Sequence, residues 1–389
     1  MSFSLTAVRR LLLPGVAAAT LAFGPAARAE IHIGVVLSLT GPGASLGIPE
    51  ENALKLWTGD LAGEKVRFTV LNDNTDSTTA AKNTQKLITE EKVDLILGSS
   101  LTPPSLAVVE SAGQAGVPVI SLAGGGAIVL PQDGPRKWAF KLSPTELIST
   151  NMVIDHVLKN KGKTIATIGV ANSYGDGFLK VTEQVAAAKG VKIVASEKYA
   201  PTDQSVTAQV VKILAANPDA VFIHSAGTPG ALPQIELAKR GYKGPVYQTQ
   251  GVANNDFLRV GGKDVEGTLL PAGGVLVAEQ LPGDHPVKKT AMAYVRAYEA
   301  AHGKGSVSTF GAHAWDAGLL LHAAIASVGK SAEPGTPAYR AALRDALERT
   351  RNVSGAHGVF NMSPNDHLGL DQRARVMVKI ENGAWTYQK

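Results

Sequence analysis

The sequence of 389 residues contains no cysteine. That excludes a disulfide-stapled scaffold, a thiolate-ligated zinc or iron–sulfur centre, a thiol nucleophile and a lipid tether on an acylated cysteine. Lys and Arg are scattered rather than run together, so a formal charge of +5 carries no message about nucleic acid or a membrane surface. No H-E-x-x-H stretch occurs, and His313 and His322 stand nine apart, the wrong interval for two ligands on adjacent helical turns. No metal and no cofactor is expected. Beyond residue 29 no apolar run approaches the roughly 20 residues that span a bilayer. What is present is 44% apolar, too much for a disordered chain, with 41 Gly and 21 Pro spread along the sequence.

The first 29 residues read as a cleaved secretory signal. Arg9 and Arg10 supply the positive end, Leu11 to Phe23 is uncharged and mostly apolar, and Ala27-Arg28-Ala29 puts small residues at the positions a signal peptidase reads. Pro14, Gly15 and Gly24 break the run, against a membrane anchor. Cleavage removes Arg9, Arg10 and Arg28, taking 38 basic side chains to 35 against 33 acidic ones. A soluble exported protein of 360 residues is expected.

Short β-branched runs alternate with segments of helical period, the pattern of parallel sheets built from crossover units. Strands are predicted at Ile31 to Leu37, Arg67 to Leu71, Val93 to Leu97 and Val117 to Ser121, with helices at Thr78 to Glu90 and Ser105 to Ala115 between them. A second block opens on a helix at Thr145 to Asn160, with Ser143-Pro144 as its cap and first turn. It continues through strands at Thr164 to Val170, Lys192 to Tyr199, Ala220 to His224 and Pro245 to Gln248. Three helices then follow, within residues 285–350, and late strands at Val359 to Phe360, Arg373 to Ile380 and Ala384 to Gln388. The order suits two α/β lobes with three crossings, near Lys141 to Pro144, Pro271 to Val275 and Ser354 to Gly358.

The turn after the first strand carries Gly41, Gly43 and Gly47, spaced G-x-G-x-x-x-G, without the acid about 20 residues on that a dinucleotide site needs. It reads as a loop presenting N–H groups and hydroxyls to a small polar solute, or as a plain turn. Gly98-Ser99-Ser100-Leu101-Thr102 ends a strand and starts a helix, so it either offers donors to an anion or caps the helix. A third strand-end loop, Ser121 to Gly126, lies beside it. Such loops converge at the carboxyl ends of parallel strands, where ligands bind. Ile223-His224-Ser225-Ala226-Gly227 lacks the first glycine of a nucleophile elbow, so an enzyme is not expected. Asp73-Asn74-Thr75-Asp76 lacks the rest of a calcium loop and reads as a helix cap.

Five stretches in order resemble the leucine/isoleucine/valine-binding family of periplasmic solute receptors: residues 31–47, Leu-Asn-Asp-Asn-Thr-Asp (71–76), Ile-Leu-Gly-Ser-Ser (96–100), Val-Pro-Val-Ile-Ser (117–121) and Ser-Tyr-Gly-Asp-Gly (173–177). The resemblance covers nearly all the chain after the leader. It implies the two-lobed type I periplasmic binding fold, an α/β architecture in which each lobe is a mainly parallel sheet flanked by helices. Residues 30–143 and 275–355 would form lobe 1, and residues 144–274 and 356–389 lobe 2, joined by three hinge crossings. It also implies a monomer that binds a small-molecule solute by hinge closure and serves membrane permease subunits of an ABC transporter. It implies further that no nucleic acid and no membrane anchor are involved and that the location is periplasmic. A sensory ligand-binding module is the other use of the fold.

Carried over by the resemblance, Ser99, with Ser100 and Thr102 near it, and Gly125 would hold a ligand carboxylate, Gly125 standing where amino-acid binders typically have Thr. Ala123 would turn its carbonyl to a ligand ammonium, Leu46 would touch the apolar end, and Tyr174 and Thr228 would line the cleft from the second lobe. Gln250 stands where amino-acid binders have an acid for the ammonium. A buried ammonium without that partner forfeits a charge-assisted bond of roughly 1.5–3 kcal/mol. The expectation is therefore a carboxylate lacking an amine, first an aromatic acid such as a benzoate derivative, with branched-chain amino acids and amides as alternatives.

Overall fold

The structure, a computed structural model, describes residues 29–57 and 59–389. The expected leader lies outside the described residues apart from Ala29. The chain begins with β1 (Ile31–Leu37), all seven residues buried, as expected of a central strand covered on both faces. It continues through α1 (Ala44–Leu54), β2 (Asp60–Leu61), β3 (Glu64–Asn72), α2 (Ser77–Thr89), β4 (Leu95–Gly98), α3 (Thr102–Gln114), β5 (Val119–Ser121) and β6 (Ala139–Lys141). These strands form one sheet in the order β2-β3-β1-β4-β5-β6, parallel except for β2 against β3. Asp76 caps α2 by accepting from the Thr79 N–H at 2.7 Å, the capping role expected for that turn.

The second block comprises α4 (Glu146–Lys159), β7 (Thr164–Val170), α5 (Ser173–Lys189), β8 (Lys192–Tyr199), α6 (Thr207–Ala215), β9 (Ala220–His224), α7 (Ala231–Lys239), β10 (Val246–Gln248), α8 (Asn255–Gly261) and β11 (Leu269–Ala272). After α9 (Lys288–His302), α10 (Thr309–Val328), α11 (Pro337–Glu348) and the hairpin β12 (Val353–Ser354) and β13 (Val359–Phe360), the chain ends in β14 (Val376–Glu381) and β15 (Ala384–Tyr387). The second sheet runs β15-β14-β11-β10-β9-β7-β8, with β7 to β11 parallel and β14 and β15 antiparallel.

Two cores follow from these sheets. On the first, Ile33, Val35, Leu95, Leu97 and Phe140 pack against Tyr294, Leu320 and Leu343 of α9 to α11, while α2 and α3 cover the other face through Leu87, Val108 and Ala112. On the second, Ile165, Ile168 and Phe222 meet Ile154 of α4 and Phe178 of α5. The chain leaves the first sheet after β6 and returns between β11 and α9, close to the expected crossings.

The third crossing falls elsewhere. Residues 356–389 were expected in the second lobe, yet Ala356, Phe360, Met362, Leu368, Leu370 and Ala374 belong to the first core, and the second core resumes only at Val376. The His367 carbonyl accepts from Lys141 N–H at 3.1 Å and its Nδ1 meets the Ala139 carbonyl at 2.9 Å, so this segment closes the open edge at β6. The chain crosses between Ala374 and Val376, where no Pro or Gly marks it.

Candidate functional site

In each sheet one place separates strands whose connections depart in opposite directions, and the loops at their carboxyl ends leave a crevice there. In the first sheet it lies between β1 and β4, in the second between β7 and β9. The two crevices face each other. Asn254 Nδ2 donates to the Ser45 carbonyl at 3.3 Å, and Thr309 Oγ1 to the Ala253 carbonyl at 3.1 Å. Gly227, at φ +71°, comes against Pro42 and Leu46, where a side chain would keep the lobes apart.

Between them is a cavity of about 10 Å³, room for a single water. Leu46, Leu101, Leu122, Ala226 and Phe310 give it apolar walls, and Ser100, Thr102, Ser143, Tyr174, Gln250 and His313 bring polar atoms. Toward the surface it continues into a mouth of about 180 Å³ bounded by Pro42, Pro103, Pro104, Pro201 and Pro229. Among the described residues no Asp, Glu, Lys or Arg lines either space. A larger depression of about 590 Å³ lies around Gly244 to Val246 and Gly267 to Leu269, at the opposite ends of β10 and β11.

The turn after β4 differs from expectation. The Ser99 hydroxyl donates to Asp73 Oδ2 at 2.5 Å and the Ser100 hydroxyl to Glu50 Oε2, while Ser100 N–H donates to Ser99 Oγ at 2.6 Å. Asp73 also accepts from Ser38 Oγ and Thr75 N–H, both at 2.8 Å. Burial raises the Glu50 carboxyl well above its usual range, and Asp73 adds repulsion. These donors are spent on the first lobe's own carboxyl groups. The start of α3 adds only Thr102 to the cavity, since Leu101 precedes the helix and Pro103 and Pro104 have no N–H to give.

Thr102 Oγ1 accepts from Gly125 N–H at 3.1 Å, and a Cβ on Gly125 would run into the Thr102 side chain. Gly125 thus makes room for a hydroxyl that comes from Thr102 instead of from its own position. Of the nine residues expected at the site, Leu46, Ser100, Thr102, Tyr174 and Gln250 line the cavity. Ser99 and Gly125 lie behind it, Ala123 packs into the first core, and Thr228 opens a half-buried turn outside it.

The second lobe presents Tyr174 and Gln250. Asn172 caps α5 and places Tyr174 in its first turn, where the phenol donates to Thr249 Oγ1 at 2.9 Å. Burial raises its pKa, so the phenol stays neutral. Gln250 Oε1 accepts from Ser149 Oγ at 3.0 Å, and its Nε2 is buried with no partner among the described residues.

Four groups at the hinge end of the cavity were not among the expected site residues. Ser143, read as a helix cap, leaves α4 to begin after Thr145 without a side-chain cap and instead accepts from Arg375 Nη2 at 3.0 Å. Arg375 is 4% exposed, and burial pushes its guanidinium down to about 9, so it is still cationic at neutral pH. Lys141, fully buried and bonded to the Ser143 and Pro144 carbonyls, is pushed down to about 7 by burial, against the pull of Glu146. His313 has no partner among the described residues at either ring nitrogen, stacks at 4.0 Å on His357, and is kept neutral by burial. The sequence signals for these are slight: a single Arg at a strand start and one His on an apolar helix.

The profile of the periplasmic binding protein family matches residues 30–384. An extracellular ligand-binding receptor of known structure from Rhodopseudomonas palustris HaA2 is 42% identical, with 93% of this chain and all of that one covered and a TM-score of 0.89. The Leu/Ile/Val-binding protein homolog 3 of Brucella melitensis is 26% identical over 267 residues, 67% of this chain and 72% of that protein. The fold is also that of a solute-binding protein of an ABC transporter from Rhodopseudomonas palustris BisB5, solved in complex with 3,4-dihydroxybenzoic acid. That likeness has a TM-score of 0.76 at 22% identity and covers 92% of this chain and 95% of the other. No described helix is long and apolar enough to cross a membrane. With two parallel-dominated sheets flanked by helices and loops meeting across a cleft, the chain belongs to the periplasmic binding protein family of solute-binding proteins.

Proposed function

We propose that this protein is the extracytoplasmic solute receptor of an ABC importer, acting as a monomer with membrane permease subunits, and that its solute is a small carboxylate without an ammonium group, first an aromatic acid of the benzoate type. The observation that carries this reading is the lining of the cleft: it contains no carboxylate, and Gln250 offers an unpartnered amide N–H where an ammonium would require an acceptor. Glu146, the buried acid close to this region, already accepts from Gly126 N–H through both oxygens, at 2.9 and 3.0 Å. Leu46, Leu101, Leu122 and Phe310 suit an apolar ring. The dihydroxybenzoate-bound receptor from Rhodopseudomonas supports the same class.

A branched-chain amino acid is the second reading, favoured by the name of the Brucella relative. It leaves the ammonium without a charged partner, a loss of roughly 1.5–3 kcal/mol. Calorimetric titration of the processed protein with benzoate, 3,4-dihydroxybenzoate and leucine separates the two. Tight binding of an acid and silence from leucine is the expected result, and tight leucine binding, unchanged by Gln250→Ala, overturns it.

A further inference from the structure

The hinge end of the cleft contains a buried cation with no counter-ion among the described residues. Arg375 donates from Nη1 to its neighbour's carbonyl at Ala374 and from Nη2 to Ser143 Oγ, and its Nε has no partner. The two buried acids of this region are committed elsewhere. Asp316 accepts from Ala356 N–H, His357 N–H and His357 Nδ1, and Glu146 takes Gly126 N–H and faces the charge of Lys141. An unpaired charge in such a place is costly. An anion delivered to it removes that cost.

Two donors stand ready in front of the cation. Ser143 lines the cavity, and because its oxygen accepts from Arg375 its own proton is left to be donated. His313 lines the same cavity with both nitrogens unpartnered, and a neutral imidazole always carries one N–H. The turn after β4 has the opposite character, with Ser99 and Ser100 donating inward to Asp73 and Glu50. A carboxylate seated there would meet the Thr102 hydroxyl alone, with the Ser99 and Ser100 hydroxyls turned to acids behind them and no cation near.

We infer that the carboxylate of the solute is read at the hinge end, by the Ser143 hydroxyl and the His313 ring N–H with Arg375 behind Ser143, and that the Ser99-Ser100 turn is a brace of the first lobe. This rests on the proposed carboxylate specificity. Ser143 and Arg375 lie on the first and third crossings, 232 residues apart, so the solute's charge is read where the lobes pivot.

The test uses a charged and an uncharged ligand of one shape, benzoate and benzamide, titrated calorimetrically into the wild-type protein and into Ser143→Ala, Arg375→Gln and Ser99→Ala. Wild type is expected to prefer the acid. Ser143→Ala and Arg375→Gln each lower benzoate affinity by about 10- to 100-fold, the worth of a charge-assisted hydrogen bond, with benzamide nearly unchanged. Ser99→Ala keeps the preference. Without ligand, Arg375→Gln melts at or above the wild-type temperature because an unpaired buried charge is gone. Should that variant fail to fold, Ser143→Ala decides alone. A preference for benzoate that survives in Ser143→Ala and vanishes in Ser99→Ala overturns the seat while leaving the carboxylate reading intact. Wild-type protein that binds leucine and neither benzoate nor 3,4-dihydroxybenzoate overturns that reading, and the seat with it.

Discussion

The two ends of the cleft carry hydroxyls in opposite states. Behind the turn after β4 are Asp73 and Glu50, and the Ser99 and Ser100 hydroxyls are turned from the cavity toward them. At the hinge end the groups behind are Arg375 and Lys141, and Ser143 receives a hydrogen bond from the cation side. Residue type alone makes the two serine sites look alike. What distinguishes a brace from a binding group is which partner lies behind it, since a hydroxyl that has donated its proton to a buried acid has none left for an anion.

Breaking the first end should be felt as stability. Asp73→Ala leaves Ser38, Ser99 and the Thr75 N–H without their acceptor, and a loss of about 3–5 kcal/mol in urea unfolding is expected. Next in size is a change of ligand class. Gln250→Glu puts a carboxylate into a cleft that has none, which is expected to weaken benzoate by about 10- to 100-fold and to admit leucine, read by calorimetry. Ser99→Ala removes one donor from Asp73 and should lower stability by about 1–2 kcal/mol, whereas Ser143→Ala should cost less stability and more affinity.

The smallest expected effect concerns Glu50. Burial raises its folded-state pKa, so above its ordinary value of 4.5 the folded chain keeps a proton that the unfolded chain has released. Stability from this group is full below that pH and falls as pH rises toward the folded-state value. Glu50→Gln cannot lose a proton. Its unfolding midpoint should exceed wild type at about pH 8, and the gap should close by about pH 4.5, the two urea curves being the check.

Strands such as Ile31–Leu37, Thr164–Val170 and Ala220–His224 were legible to the residue because each is a mostly β-branched or apolar run with turns on both sides. β11 was not, since Pro271 interrupts a run of only four residues. The loops that face the cleft were legible from their place at strand ends. Their hydrogen bonding was not, because Ser99 finds its acceptor 26 residues away and Ser100 finds Glu50 at a distance of 50. One sign did stand in the sequence: Pro103-Pro104 strips N–H groups from the start of α3 and argues against an anion there. Arg375 could not be placed without the fold, because the third crossing has no turn residues to mark it.

A crystal structure of the protein with 3,4-dihydroxybenzoate tests the central claim most directly. The carboxylate should lie within hydrogen-bond reach of Ser143 Oγ and a His313 ring nitrogen, with Arg375 behind and the ring among Leu46, Leu122 and Phe310. A carboxylate bound instead to the Ser99-Ser100 turn, with the Ser99 hydroxyl rotated off Asp73, would contradict it.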